Sequence, residues 1–162
     1  MTTLKQRAEL GTIAEYLIEH ANLVGYAEVR PMPTAHLTFA DIKSLFAEDK
    51  KITMDCSEAV TLLFRLAGLK DPNGLNYNGA GFTGSLLQHL PRCGSLDQAH
   101  EGALLVFGKA SGTHVCMVLE HDNTDPLLFS HGAEIGPLRI RLSDEQPAHI
   151  GEPITLLSIA EL

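Results

Sequence analysis

Residues 53–69, TMDCSEAVTLLFRLAGL, constrain the fold more than any other stretch of this chain. The pattern predicts a helix with a cysteine in its first turn. Asp55 is a natural N-cap, and Glu58, three residues later, completes a capping-box sequence. Cys56 then occupies the first helical position, where free backbone N–H groups and the positive end of the helix dipole collect. A thiolate is favoured in such a place: the ordinary cysteine pKa of about 8.5 falls to roughly 3.5–7.5 at sites of this kind. Cys56, Val60, Leu63, Phe64 and Ala67 share one face at helical spacing, so the helix should pack on a sheet with the sulfur at the core's edge. Gly68 stops the helix and Pro72 forbids its continuation. The competing reading is a small buried core cysteine with no chemistry.

Around this helix the chain divides into a helical first half and a stranded second half. Leu10, Ile13, Ala14, Leu17, Ile18 and Ala21 repeat at helical intervals and predict an amphipathic helix over about residues 3–21. Pro31 and Pro33 exclude regular helix from the segment carrying Tyr26 and Arg30, which read as a half-buried tyrosine and a solvated arginine. A short helix is expected around Ile42, Leu45 and Phe46. Residues 71–84, rich in Gly and Asn, form consecutive turns. Tyr77 and Phe82 there either line a groove or pin their own loop. Further on, the runs 103–107, 114–120, 127–131, 138–142 and 154–159 are short and apolar or alternating, with turn residues between them. Short connections favour antiparallel neighbours. Helices followed by strands make an α+β domain spanning residues 1–162.

The charge excludes some partners. A net charge of −8 opposes sequence-independent binding to nucleic acid. No apolar run is long enough to span a bilayer, so no membrane role is expected. The first ten residues lack the apolar segment of a signal peptide, which places the starting point of the chain in the cytoplasm. Cys56, Cys93 and Cys116 form no CxxC pair or evident disulfide framework.

Two histidines carry the remaining chemical signal. His114 shares a strand face with Cys116 and Val118, and His131 shares one with Leu127 and Phe129. Adjacent antiparallel strands would bring both imidazoles to one end of the sheet. A cysteine nucleophile needs a base that holds it as thiolate and later protonates the leaving amine. The base needs a further group that fixes its tautomer. Cys56, His114 and His131 fit these three roles. A metal centre built from Cys56, His114, His121 and His131 is the weaker alternative, because no HxxxH or CxxC spacing supports it. No metal and no cofactor are expected.

At this point the residues resemble a known family. Asp55-Cys56-Ser57, the helix ending Ala67-Gly68, and Gly102 to Gly108 ahead of His114-Val115 are similar to the NlpC-type cysteine peptidases, papain-like hydrolases of the cell wall. The resemblance is strongest to versions encoded by bacteriophages of actinobacteria. It extends to Arg30-Pro31-Met32, Asp71-Pro72-Asn73-Gly74, Tyr77-Asn78-Gly79, Thr83-Gly84 and the stretch from Ser130 to Pro137. It covers roughly residues 10–142. Glu58 and Ala59 depart from the usual Gly and bulky apolar residue after the DCS motif, and Ala103 stands where the family carries Asp.

The resemblance implies a papain-like fold, with N-terminal helices on an antiparallel sheet of about five strands. It implies Cys56 as nucleophile, His114 as base, His131 as the residue orienting the base, and Tyr26 as a stabiliser of the oxyanion. The implied substrate is the stem peptide of peptidoglycan. The favoured cut lies between D-glutamate and the diamino acid, with the muramoyl–L-alanine amide as the alternative. The enzyme would reach the wall during phage release or on the virion, where a tail or other targeting protein is the expected partner. The opposing function class is a phage tail protein that keeps the fold without the chemistry.

Overall fold

The computed structural model describes residues 3–132 and 136–162. The chain is α+β, as the patterning predicts. The order of elements is α1 (Leu4–Glu19), β1 (Val24–Tyr26), α2 (Phe39–Ala47), β2 (Ile52–Met54), α3 (Cys56–Leu66), α4 (Thr83–His89), β3 (Leu104–Phe107), β4 (His114–Glu120), β5 (Leu127–Ser130), β6 (Leu138–Arg141), α5 (Leu142–Glu145) and β7 (Ile154–Leu157). Both early helices start on capping boxes, Thr3 with Gln6 and Thr38 with Asp41. These boxes satisfy orphan N–H groups and mark where each helix begins.

Strands β3 to β7 form an antiparallel sheet in the order β6-β5-β4-β3-β7. The five segments expected from the sequence are all present, and each strand ends within two residues of its predicted limit. The sheet is covered on both faces. On one face Leu104, Val106, Val115, Met117 and Phe129 pack with α1 and α3, including Leu10, Ile13, Val60, Leu63 and Phe64. On the other, Leu105, Phe107, Cys116, Val118 and Leu128 pack with Ala99, Ala103 and Leu142. The alternation of side chains along β4 divides its residues between these two cores.

A second, two-stranded parallel sheet pairs β1 with β2 in the register Val24↔Ile52, Gly25↔Thr53 and Tyr26↔Met54. The proline-rich segment after Tyr26 conceals this pairing in the sequence. Its consequence is functional, because β1 delivers Tyr26 and β2 leads directly into Asp55 and Cys56. No described helix is long and apolar enough to cross a membrane. Ala133, Glu134 and Ile135, which belong to the family-like stretch, lie outside the described residues.

Candidate active site

The start of α3 is built around Asp55. Its Oδ1 accepts from the Glu58 backbone N–H at 2.8 Å and from the Ser57 hydroxyl at 2.8 Å. Its Oδ2 pairs with the Arg30 guanidinium at 2.8 Å. Arg30 also donates to Ser57 Oγ at 2.9 Å and to the Gly81 carbonyl at 2.7 Å. The arginine read as solvated is therefore a clamp joining the β1 segment, the helix start and the glycine-rich loop. An N-cap held from three sides leaves Cys56 little positional freedom.

Glu58 does not complete the predicted capping box. Its side chain turns into the interior, where Oε1 accepts from the Thr34 backbone N–H at 2.9 Å and the Thr34 hydroxyl at 2.6 Å. The other oxygen, Oε2, is buried with no hydrogen-bond partner among the described residues. Burial is the largest influence on this carboxyl and raises its pKa, against the Thr34 hydrogen bonds.

Cys56 opens onto a cleft of about 420 Å³. Tyr26, Glu28, Arg30, Phe82, Thr83 and the turn Ser111-Gly112-Thr113 form its walls. That size suits a small peptide or sugar-peptide fragment. Phe82 lines the cleft, whereas Tyr77 anchors its own loop by donating to the Leu69 carbonyl at 2.9 Å. Both readings offered for these aromatics are realised, one in each residue. Gly112, at φ +77°, forms part of the wall just before His114; a Cβ there would meet Val106 at 2.6 Å and Thr83 at 2.7 Å.

His114 opens β4 and is buried. Its Nε2 lies 2.9 Å from Ser130 Oγ and 3.2 Å from Glu145 Oε1. Ser130 in turn donates to the same carboxylate oxygen at 3.2 Å. Burial, the largest influence, disfavours the imidazolium. Hydrogen bonds with Cys116, Cys56 and Glu145 outweigh it and raise the His114 pKa well above the ordinary value. Glu145 responds in the opposite sense: burial raises its pKa, but hydrogen bonding and charge from His114 bring the net shift downward. Ser130 and Glu145 both engage His114 through Nε2.

The surroundings extend this arrangement. The His149 ring lies nearly parallel to His114, with centroids 5.2 Å apart and planes 10° apart. Its Nε2 is 3.5 Å from Glu145, and its Nδ1 is 2.9 Å from Glu152.

His131 occupies a different position. Its Nε2 faces the Gly25 carbonyl at 3.2 Å and the Met54 carbonyl at 3.0 Å. An N–H shared between carbonyls of β1 and β2 ties the small sheet to the end of β5. The sequence assigns His131 to orienting the base, yet the groups at His114 Nε2 are Glu145 and Ser130. Sequence reasoning missed Glu145, which stands on the four-residue helix α5. The signal was slight: Leu142 and Glu145 are three apart on a helical turn, and both are buried.

Tyr26 borders the cleft beside Cys56, with its ring 5.5 Å from that of His131. Burial, followed by the nearby charge of Cys56, pushes its pKa up to about 12, so the hydroxyl keeps its proton at neutral pH. His121 lies apart from this group, bonding the Ala99 carbonyl through Nδ1 at 3.1 Å. Seven residues of extended strand separate it from His114, roughly 23 Å, so the four-residue metal set is not assembled. All three cysteines are free thiols. No protein-family model matches the chain, and no curated protein does.

Proposed function

We propose that the protein is a cysteine-dependent amide hydrolase with a papain-like NlpC-type fold, and that its substrate is the stem peptide of peptidoglycan. The observation that carries the reading is the joining of three features. A cysteine at a braced helix start opens onto a cleft, that cysteine helps to raise the pKa of a buried histidine, and a carboxylate lies 3.2 Å from Nε2 of that histidine. The cell-wall substrate rests on the family-like motifs around Cys56 and His114.

In this mechanism the Cys56 proton already rests on His114, and the Cys56 thiolate attacks the scissile carbonyl. The imidazolium then protonates the leaving amine, and a water releases the acyl group with the same base. Glu145, assisted by Ser130, holds the Nε2–H and stabilises the positive ring, the part that a carboxylate plays in triads generally. Tyr26, neutral and at the cleft's edge, donates to the developing oxyanion. This assigns the orienting role to Glu145 and leaves His131 as a brace.

The favoured bond is that between D-glutamate and the diamino acid. The enzyme would act during phage release or from the virion, with a tail or other targeting protein bringing it to the wall. Incubating the purified chain with actinobacterial peptidoglycan, and identifying the fragments by mass spectrometry, tests the proposal. Newly exposed stem-peptide termini are expected from wild type and none from Cys56→Ala. A folded wild-type protein that leaves every wall intact overturns it and favours the tail-protein alternative.

A further inference from the structure

The mechanism above has no use for Cys116, although its buried thiol lies beside the catalytic base. Its Sγ is 3.8 Å from Glu145 Oε1, the same oxygen that lies 3.2 Å from His114 Nε2. The three ligand-type atoms all fall within 4.8 Å of one another. Thiolate, imidazole and carboxylate are the donors that zinc takes, with bonds of about 2.0–2.3 Å. In a tetrahedron those bonds set ligand–ligand separations of roughly 3.3–3.7 Å. The two separations to Glu145 lie close to that range, and the His114–Cys116 pair, within 4.8 Å, needs to close by at most about 1 Å.

We propose that His114, Cys116 and Glu145 form a zinc site whose occupation switches the catalytic base off. The charges suit a buried location: one thiolate and one carboxylate balance the two positive charges of the ion. As zinc enters, the Cys116 thiol proton and the Nε2 proton of His114 leave. The imidazole coordinated through Nε2 then carries its remaining proton on Nδ1. The ring can then no longer alternate between imidazolium and imidazole, because giving up its one remaining proton would leave an imidazolate, so it neither protonates the leaving amine nor accepts a proton from water. Ser130 Oγ, 2.9 Å from Nε2, stands at the fourth side of the site. His149, 3.5 Å from Glu145, supports the carboxylate from outside. The site itself is independent of the hydrolase proposal; only its effect on activity rests on that reading.

The test titrates the full chain with zinc alone, and separately with cobalt(II), whose thiolate bond gives a charge-transfer absorption. Wild type and Cys56→Ala should each bind one ion per chain and show the cobalt–thiolate band. Cys116→Ser should lose the band and bind at least roughly 100-fold more weakly. Glu145→Gln, as a second variant, should also weaken binding. Nitrogen-15 NMR should find His114 protonated on Nδ1 in the zinc form. In the wall assay zinc should suppress wild-type hydrolysis but not whatever hydrolysis Cys116→Ser retains. Absence of binding to wild type overturns the site, as does binding that survives Cys116→Ser or is lost in Cys56→Ala. Zinc binding through Cys116 in a chain that cleaves no wall keeps the site and removes the hydrolase reading.

Discussion

His114 and His131 are both buried imidazoles near the same end of the large sheet, and their surroundings differ in kind. His114 meets a thiol, a hydroxyl and a carboxylate. His131 places Nε2 between two backbone carbonyls. The groups around His114 change charge or exchange protons, so they can set the proton inventory of the ring. The carbonyls that meet His131 Nε2 accept hydrogen bonds and carry no titratable proton. Burial alone therefore does not identify a catalytic histidine; the chemistry of its partners does.

Substitutions on the two sides should separate cleanly. The largest effect is expected for Cys56→Ala, which should lower wall hydrolysis by at least about 10⁴-fold, with His114→Ala close behind. These losses should not add in the double variant, because the residues act as one unit. Removing one sulfur at the edge of the core should cost only about 1 kcal/mol of stability. Denaturant unfolding beside the rate measurement checks that the loss is chemical.

Glu145→Gln comes next. It keeps the shape but removes the charge that supports the His114 imidazolium, and hydrolysis should fall about 10²-fold. On the other side, His131→Ala should act mainly on folding. It strips a buried hydrogen bond from the Gly25 and Met54 carbonyls and leaves a cavity, at a cost of about 2–3 kcal/mol. A His131 variant that unfolds no more easily but cleaves far more slowly would break the comparison.

The comparison also explains what the sequence could and could not reveal. The Cys56 helix was legible because its cap, its apolar face and its stop are all local. The five strands were legible from alternation and turn residues. The pairing of His114 with its partners was not, because it depends on the register between strands. Met117 pairs with Phe129. Carried one step along the ladder, Ser130 comes opposite Cys116, on the His114 face. His131, one residue further, points to the other face, towards β1 and β2. A shift in the ladder between Val118 and Glu120 contributes to that phase, and no single-strand pattern predicts it. Glu145 was hidden for a related reason: only its i, i+3 spacing from Leu142 separates it locally from Asp144, which is exposed.

Glu58 supplies the smallest effect and a second contrast. Both Glu58 and Glu145 are buried carboxyls, but Glu145 has charged and polar partners while one Glu58 oxygen has none among the described residues. Glu58 titrates at an ordinary 4.5 when unfolded and higher when folded. As pH rises from about that value, the unfolded chain releases the proton first, so deprotonation favours unfolding. Stability attributable to Glu58 is therefore full below pH 4.5 and declines as pH climbs through the raised folded pKa. Glu58→Gln should flatten this part of the stability profile, measured as denaturant midpoint against pH. An unchanged slope would show that the buried carboxyl is not its source.

The most direct test of the central claim is the alkylation rate of each thiol in the folded protein, read by mass spectrometry at mildly acidic pH. A protonated His114 beside Cys56 should draw iodoacetamide to that residue ahead of Cys93 and Cys116. Glu145→Gln should slow the labelling of Cys56, and folded His131→Ala should leave it close to the wild-type rate. Preferential labelling of Cys93, or a rate governed by His131 and indifferent to Glu145, would contradict the account.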